Sequence, residues 1–347
     1  MNILLVRLSA IGDCCLVLPV VRSVLEANEN CHVHWLIGQG AYQLLKDCTH
    51  PRLHFTVIDK PKSIKDYRAI KKQFSEHQFD AVLAMQASSR ANLIYPLIKA
   101  KRKIGFDKTR ARELQWLFTH ERIDFKAEHL HDSFMRFAHQ LGIDGKQNNE
   151  ASDWEIAIPL DWSQLKLKFQ LPERFVVINP AASKLERSWR SKHYAEVIDI
   201  IKNRFGIEVV LTGGHAKFEM ELTDRILQQV TAQPINVVGR TSLQELALIL
   251  KQAELCIAPD TGPVHIANAM GTPVLGLYAV ASSKLSGPYH SQSLTIDKFE
   301  QAVEEILKQD PATVAWKTRV HSRQAMDLIS VQNVVEKLDS FFAKENN

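Results

Sequence analysis

The fold is decided by Asn2-Ile3-Leu4-Leu5-Val6-Arg7-Leu8-Ser9-Ala10-Ile11-Gly12-Asp13 and the apolar pattern that follows at residues 16–27. The continuous apolar run at 3–8 predicts a buried strand, and the helical spacing after it predicts an amphipathic helix. A strand that leads directly into a helix is the first half of a parallel βαβ unit. The opening therefore predicts an α/β fold.

The same alternation continues along the chain. The patterns predict further strands at 32–37, 53–58 and 81–85, with helices at 41–46 and 63–74. The alternation stops in a polar, turn-rich segment at 145–172 and then resumes. The predicted strands of this second part are 175–179, 208–212, 235–238, 255–258 and 274–277. Its predicted helices are 191–205, 216–230, 243–252 and 264–269.

Three segments are expected. Residues 1–165 form an N-terminal Rossmann-like domain, and 166–325 form a second such domain. Residues 326–347 form an amphipathic helix that packs back toward the N-terminal domain. Two domains of this kind predict a ligand cleft between them.

Composition narrows the class of protein. The 347 residues are 45% hydrophobic and 24% charged, without an apolar run that approaches the roughly 18 residues of a membrane span. The five cysteines are scattered and form no C-x-x-C pair, and the first strand lacks the basic leader of a signal peptide, so a reducing, cytoplasmic location is expected. Residues 1–150 hold 22 Lys/Arg against 16 Asp/Glu, which indicates an anionic partner, although ordinary solvated lysines account for the excess equally well.

Common nucleotide and metal motifs are absent from the sequence. Gly38-Gln39-Gly40 follows a predicted strand, but Gln43 stands where a dinucleotide fingerprint needs its third glycine. A P-loop motif is missing as well. His32 and His34 share one face of a strand without a third ligand at a suitable spacing, so no metal site is expected.

The first candidate site is the turn that ends at Asp13. Gly12 allows a ligand to approach the backbone closely, and the Asp13 carboxylate stands at the start of the helix. Asp13 is either a helix cap or a general base that accepts a proton from a sugar hydroxyl.

The second candidate site is Ala258-Pro259-Asp260-Thr261-Gly262-Pro263-Val264-His265, again between a strand and a helix. Free amides at a helix start suit a diphosphate, and Asp260 could accept from sugar hydroxyls. The simpler alternative is that Asp260 or Thr261 caps the helix and that His265 is a helix residue. A third segment, Ser183 to Arg190, offers basic side chains for phosphate or is a surface loop over Trp189.

In this order, the segments resemble the lipopolysaccharide heptosyltransferases of glycosyltransferase family 9, most closely heptosyltransferase I. The resemblance rests on Leu4 to Asp13, on Ser183 with Arg187-Ser188-Trp189, on Leu211-Thr212-Gly213-Gly214, on Val238 to Leu243 and on Pro259 to His265. It implies a GT-B fold, in which two Rossmann-like domains with parallel sheets face each other across a cleft. In such a fold residues 1–165 would bind the acceptor and residues 166–325 the nucleotide sugar. It also implies an inverting transfer of heptose from ADP-heptose that needs no metal.

The resemblance further implies a role for each matching residue. Asp13 would be the general base. The donor would be bound by Ser183, Arg187, Glu219, Thr241, Asp260, Thr261, Gly262 and His265. Ala182 and Arg187 stand where relatives often have a hydroxyl residue and a lysine, which leaves the exact donor open.

The implied acceptor is a Kdo sugar of Kdo-lipid A, which is strongly anionic. Its predicted contacts are Ser9, Lys101, Arg102, Lys103, Arg110 and Arg112, with a second basic stretch at Lys60, Lys62, Lys65, Arg68, Lys71 and Lys72. Transient contact with the inner face of the inner membrane is also expected.

Three other functions remain open. Heptosyltransferase II would act on a heptosylated acceptor, and a sugar-nucleotide epimerase on the same two-domain plan would need no acceptor. A catalytically silent binding protein for nucleic acid finds no support in a recognisable reading module, and no nucleic-acid partner is expected.

Overall fold

The computed structural model describes residues 1–143, 154 and 156–345, and these residues form two parallel β-sheets with helices in the connections. Internal contacts divide the chain into two units, Met1–Glu150 and Ala151–Asn347. The sequence placed the domain boundary after residue 165, within a predicted linker at 145–172. Residues 145–153 and 155 of that linker lie outside the described residues, and its later part contains a helix at Trp162–Phe169.

The first unit contains one parallel sheet with helices in the connections. Its strands are β1 Asn2–Val6, β2 His32–Gly38, β3 Leu53–Ile58, β4 Phe79–Leu83, β5 Ala100–Gly105 and β6 Glu121–Arg122. Its helices are α1 Ile11–Ala27, α2 Gln39–Leu45, α3 Ile64–Gln73, α4 Ser89–Asn92 and α5 Leu130–Gln140. The strand order is β3-β2-β1-β4-β5-β6. Strands β2 and β3 are therefore added on one side of β1, and β4, β5 and β6 on the other.

The second unit repeats this plan. Its strands are β7 Phe175–Ile178, β8 Glu208–Leu211, β9 Ile235–Asn236, β10 Leu255–Pro259, β11 Val274–Tyr278 and β12 Ile296–Asp297. Its helices are α6 Trp162–Phe169, α7 Ser191–Ile200, α8 Lys217–Leu227, α9 Leu243–Gln252, α10 Gly262–Ala269, α11 Ser283–Ser286, α12 Phe299–Ala302 and α13 Val331–Glu345. The order β12-β11-β10-β7-β8-β9 likewise places β8 and β9 on one side of β7, and β10, β11 and β12 on the other. Each unit is therefore a Rossmann-like domain with its switch point between its first and fourth strands.

Two elements of the first unit differ from the sequence analysis. Neither strand β5 nor helix α5 was predicted, and the basic residues of β5 were interpreted only as acceptor contacts. The charges of β5 are compatible with a strand because Lys101 pairs with Asp80 and Arg102 pairs with Glu121. These two ion pairs connect β5 to the neighbouring strands β4 and β6, although the sequence of β5 has no continuous apolar pattern.

The C-terminal helix α13 belongs to the second unit. Val334, Leu338 and Phe342 lie in the same hydrophobic core as Trp189 and Tyr194. The sequence analysis expected this helix to pack toward the N-terminal domain, whereas its apolar face lies in the core of the second unit. Among the helices of the described residues, none combines the length and apolar character that crossing a membrane requires.

Candidate functional site

Asp13 lies in the first turn of α1, directly beyond the carboxyl end of β1. Its Oδ2 atom accepts a hydrogen bond from the Ala10 backbone N–H at 3.2 Å. Ala10 is the N-cap residue, and Asp13 at the third helical position contributes the reciprocal half of a capping box.

Capping is only part of the environment of Asp13. The same Oδ2 atom binds the guanidinium group of Arg7, which is buried at the end of β1. Arg7 also donates from Nη1 to the Met85 carbonyl at 2.6 Å and lies over the Phe134 ring at 5.1 Å. The Arg7 side chain is 10% exposed and that of Asp13 is 25% exposed. Arg7 holds this carboxylate in the ionised form, and solvent can still reach it, so it is able to accept a proton.

A groove in the first unit adjoins this turn. Two cavities, of about 840 Å³ and 290 Å³, share Leu8, Ser9 and Lys60 in their linings. The larger cavity also touches Gly38, where a Cβ atom would lie 2.2 Å from the Leu8 carbonyl oxygen, so only glycine fits there. The predicted acceptor residue Ser9 thus lies in the wall of a cavity.

The other predicted acceptor residues are involved in contacts within the first unit. Lys101 and Arg102 bind Asp80 and Glu121, and Lys103 donates to the Tyr95 carbonyl at 2.7 Å. Burial lowers the pKa of Lys103.

Arg110 and Arg112 lie in the loop between β5 and β6. Arg110 pairs with Asp107 and donates to the Asp124 carbonyl, whereas Arg112 is exposed. These contacts explain how the basic residues of the loop and of β5 stabilise the fold. Their role in acceptor binding stays a prediction.

The second site lies at the switch point of the second sheet. The loop after β7 carries Ser183 and Arg187, and Asp260 directly follows β10. Arg187 Nη1 lies 2.8 Å from Asp260 Oδ2, and its Nη2 atom donates to the Ser183 hydroxyl. The sequence predicted all three residues, and the structure brings them together.

Helix α10 begins beside this pair. Thr261 is the residue before the helix, and within the described residues its side chain makes no capping hydrogen bond. Gly262 opens the helix, and His265 is buried within it. Pro263 has no backbone N–H, and the Val264 N–H donates to the Thr261 carbonyl at 3.2 Å, so the Thr261 hydroxyl and the Gly262 N–H are the groups at this helix start that suit an anion.

Glu219 and Thr241 lie at the same edge of the sheet, after β8 and β9. Glu219 Oε2 accepts the Gly214 N–H at 2.5 Å, and the Gly239 N–H donates to the Gly213 carbonyl at 3.0 Å. The turn at Gly213 thus connects Glu219 with the segment that carries Thr241. The positive φ of Gly239, +69°, gives this connection a backbone conformation that glycine adopts most easily.

Sequence reasoning missed two arginines. Arg7 had a signal, because it is a charge at the end of an otherwise apolar strand. Arg319 had none, since its loop shows no periodic pattern. Arg319 Nη1 lies 3.2 Å from the Asp260 Oδ2 atom that also binds Arg187. Its position is fixed by the Val320 N–H, which donates to the Val280 carbonyl at 2.8 Å just beyond β11.

Histidines cluster in the first unit, around His34 of β2. The His34 ring lies 5.0 Å from that of His54 and 5.5 Å from that of His77. Burial, with the nearby His54, His77 and His32, lowers the pKa of His34 to about 4. Within the described part of the chain, no group of three or more His, Cys, Asp or Glu side chains is arranged to hold a metal ion.

Comparison with known proteins decides the family. The model of glycosyltransferase family 9 (heptosyltransferase) matches residues 67–315. The chain belongs to glycosyltransferase family 9. It is therefore a glycosyltransferase.

Relatives and solved structures agree with this assignment. The lipopolysaccharide core heptosyltransferase OpsX of Haemophilus influenzae is 32% identical over 97% of this chain and 96% of its own length. A family 9 glycosyltransferase from Veillonella parvula has a TM-score of 0.78 at 20% identity, covering 99% of this chain and 97% of that one. The E. coli heptosyltransferase WaaC, solved with ADP, has a TM-score of 0.72 at 20% identity, covering 98% and 100%. The predicted GT-B fold, with two Rossmann-like domains and parallel sheets, is confirmed.

Proposed function

We propose that this protein transfers heptose from ADP-heptose to a Kdo sugar of Kdo-lipid A, in synthesis of the lipopolysaccharide inner core. The observation that carries the donor assignment is the pair of guanidinium groups, Arg187 and Arg319, on the single carboxylate of Asp260. This leaves one positive charge in excess beside Thr261 and Gly262, at the start of α10. Such a site is complementary to a diphosphate.

The donor would lie along the carboxyl edge of the second sheet. Ser183, Arg187, Thr261 and Gly262 would hold the diphosphate, and Asp260 and His265 would contact the heptose. Glu219 would bind the ribose hydroxyls and Thr241 the adenine. Their positions after β7, β8, β9 and β10 support this assignment, because ligands of parallel sheets bind at that edge.

Asp13 would act as the general base. An acceptor hydroxyl oxygen attacks the anomeric carbon from the face opposite ADP, forming the new glycosidic bond with inversion. The bond between that carbon and the diphosphate oxygen breaks, Asp13 takes the hydroxyl proton, and ADP leaves with the electron pair. The guanidinium groups neutralise the charge that develops on the diphosphate, so the reaction would need no metal ion.

The acceptor would enter the groove beside Ser9 in the first unit. Its anionic groups would contact basic side chains of that unit, for which Lys101, Arg102, Lys103, Arg110 and Arg112 remain the predicted set. The enzyme would work in the cytoplasm, at the inner face of the inner membrane.

One assay tests this proposal. ADP release is measured with ADP-heptose and, in parallel, Kdo-lipid A, heptosylated Kdo-lipid A or no acceptor, each with and without EDTA. Release with Kdo-lipid A alone, insensitive to EDTA, is expected. Release only with the heptosylated acceptor would favour heptosyltransferase II. Loss of activity in EDTA would contradict the metal-independent mechanism.

A further inference from the structure

Five large apolar side chains of the first unit are exposed on neighbouring segments. Leu93, Leu114, Trp116, Leu117 and Phe125 are between 39% and 57% exposed. We call this group the apolar rim. Apolar side chains scattered singly on a surface are ordinary, whereas a contiguous group marks an interaction surface.

Hydrogen bonds connect the segments of the apolar rim. The Asn92 side-chain amide donates to the Arg112 and Glu113 carbonyls at 3.0 and 2.8 Å, which joins the chain at Leu93 to the chain at Leu114. The Leu117 N–H donates to the Leu114 carbonyl at 3.0 Å. The Arg110 guanidinium, in the same loop, lies 5.7 Å from the Phe125 ring centroid.

The turn that exposes Leu114 is anchored by the buried side chain of Gln115. Glu113 and Leu114 have φ values of 53° and 63°, a left-handed conformation that residues with a side chain rarely adopt. Gln115, which is fully buried, donates to the Ala84 carbonyl at 2.7 Å and accepts from the Phe106 N–H at 3.2 Å. The hydrogen bonds of the buried Gln115 therefore hold the backbone in the conformation that exposes Leu114.

The segments of the apolar rim carry an excess of positive charge. Their exposed basic side chains are Arg90, Lys108, Arg112 and Lys126, against the exposed carboxylates of Glu113 and Asp124. Glu113 also accepts from the Ser89 N–H. Apolar side chains on segments with excess lysine and arginine match a bilayer with anionic headgroups. A second copy of the chain fits less well, since a two-fold contact would bring like charges together.

The apolar rim also adjoins the acceptor groove. Ser88, Ser89, Arg90 and Glu113 line the 290 Å³ cavity together with Ser9, and Glu113 directly precedes Leu114. We propose that the apolar rim and its basic residues dock the enzyme on an anionic lipid surface, beside the pocket that receives the sugar of a lipid-linked acceptor. This inference rests on the proposed function, because it gives the lipid part of that acceptor its location.

Vesicle co-sedimentation tests the docking directly. The probes are phosphatidylethanolamine vesicles with about 30% phosphatidylglycerol and vesicles of phosphatidylcholine alone. The full-length protein should bind the anionic vesicles in a salt-sensitive manner, because part of the attraction is electrostatic. The double variant Leu114→Asn, Leu117→Gln should bind about 10-fold or more weakly, since each exposed leucine contributes buried apolar area. Asparagine tolerates the left-handed conformation at 114, so folding is preserved.

The matched control is Leu167→Gln, which changes a leucine of the second unit that is 80% exposed. This variant should bind vesicles as the wild type does. Unchanged thermal melting of all variants confirms that they fold. Equal vesicle binding by the double variant and the wild type would overturn the proposal. So would a concentration-dependent dimer in sedimentation velocity that the double variant abolishes while vesicle binding is absent.

A water-soluble, deacylated acceptor separates this inference from the proposed function. The double variant should turn it over at the wild-type rate and lose activity only on acceptor embedded in vesicles. If the wild type transfers heptose but binds no vesicles, the docking proposal fails alone. If it binds vesicles in the predicted manner and transfers heptose to neither acceptor, the proposed function fails while the lipid surface stands.

Discussion

The Asp13 site and the Asp260 site differ in charge although both flank the switch point of a sheet with the same strand order. Asp13 follows the first strand of its unit and pairs with one arginine. Asp260 follows the fourth strand of its unit and pairs with two. The Asp13 side chain is 25% exposed and the Asp260 side chain is 12% exposed.

This difference separates two kinds of chemistry. A carboxylate balanced by one arginine and open to solvent can receive a proton. A carboxylate outnumbered by two arginines orients positive charge toward an anion. The proposed general base and the proposed diphosphate site therefore lie at the switch points of two units with the same fold, and the side chains at each switch point distinguish them.

The largest expected effect is at Asp13. In Asp13→Asn, the amide oxygen still accepts from the Ala10 N–H, so the helix cap remains while the proton acceptor is lost. Turnover should fall about 10²–10⁴-fold, with ADP affinity unchanged. Initial-rate ADP release and calorimetric titration with ADP measure the two quantities.

Asp161→Ala is the control for capping. Asp161 caps α6 by accepting from the Ser163 N–H at 2.7 Å, in the second unit. Its loss should cost about 1 kcal/mol of stability and leave turnover intact. Wild-type turnover in Asp13→Asn would show that Asp13 is only a cap, and the contrast between the two sites would disappear.

The next effect concerns the two arginines at Asp260. Arg187→Ala should weaken ADP binding about 10- to 100-fold, the range for loss of a charge-assisted contact. Arg319→Ala should weaken it less, about 3- to 10-fold, because Arg319 is 36% exposed and solvent screens it. Titration with ADP and with adenosine distinguishes the roles, since only ADP carries the diphosphate.

Arg323→Ala is the matched control, an exposed arginine of the same segment as Arg319. It should bind ADP as the wild type does. Equal losses of ADP and adenosine affinity in Arg319→Ala would mean that Arg319 supports the loop and does not contact phosphate.

A smaller effect is expected at Arg7, which orients Asp13. Arg7→Met keeps an unbranched side chain over Phe134 and removes the guanidinium group. The kcat should fall about 10-fold while the KM for ADP-heptose stays constant, because the donor site lies in the other unit. Steady-state kinetics with varied ADP-heptose make this measurement.

Arg52→Met provides the comparison for Arg7. Arg52 donates to the Asn28 and Leu25 carbonyls at 2.7 and 2.8 Å without touching Asp13. It should lower the melting temperature and leave kcat unchanged. If Arg7→Met loses stability but no activity, Arg7 is only a structural residue.

These sites also show how far the sequence could predict the molecule. The alternation of apolar runs predicted the βαβ plan. Strand ends followed by Gly, Asp and Thr predicted Asp13 and Asp260 as candidate residues, and the basic loop after a predicted strand predicted Arg187. Arg319 was not predicted, because it lies in a segment that has no apolar periodicity and follows no predicted strand, and its contact with Asp260 joins residues 59 apart in the chain. Strand β5 was missed because ion pairs, which no single sequence reveals, take the place of its apolar pattern.

The smallest expected effect is on stability at acidic pH, where protonation of His34 destabilises the first unit. The pKa of His34 falls from 6.5 to about 4 in the folded protein, so folding favours the neutral ring. Its stabilising contribution is complete above about pH 6.5 and is lost as the pH falls toward 4, because the unfolded chain then binds the proton more tightly. For a half-buried ring the loss is on the order of 1 kcal/mol after discounting for solvent screening.

His34→Phe keeps an aromatic ring beside Phe79 and cannot titrate. Between pH 8 and pH 5 its melting temperature should therefore fall less than that of the wild type. Parallel curves would show that protonation elsewhere, including at His193 or His290 of the second unit, governs acid unfolding.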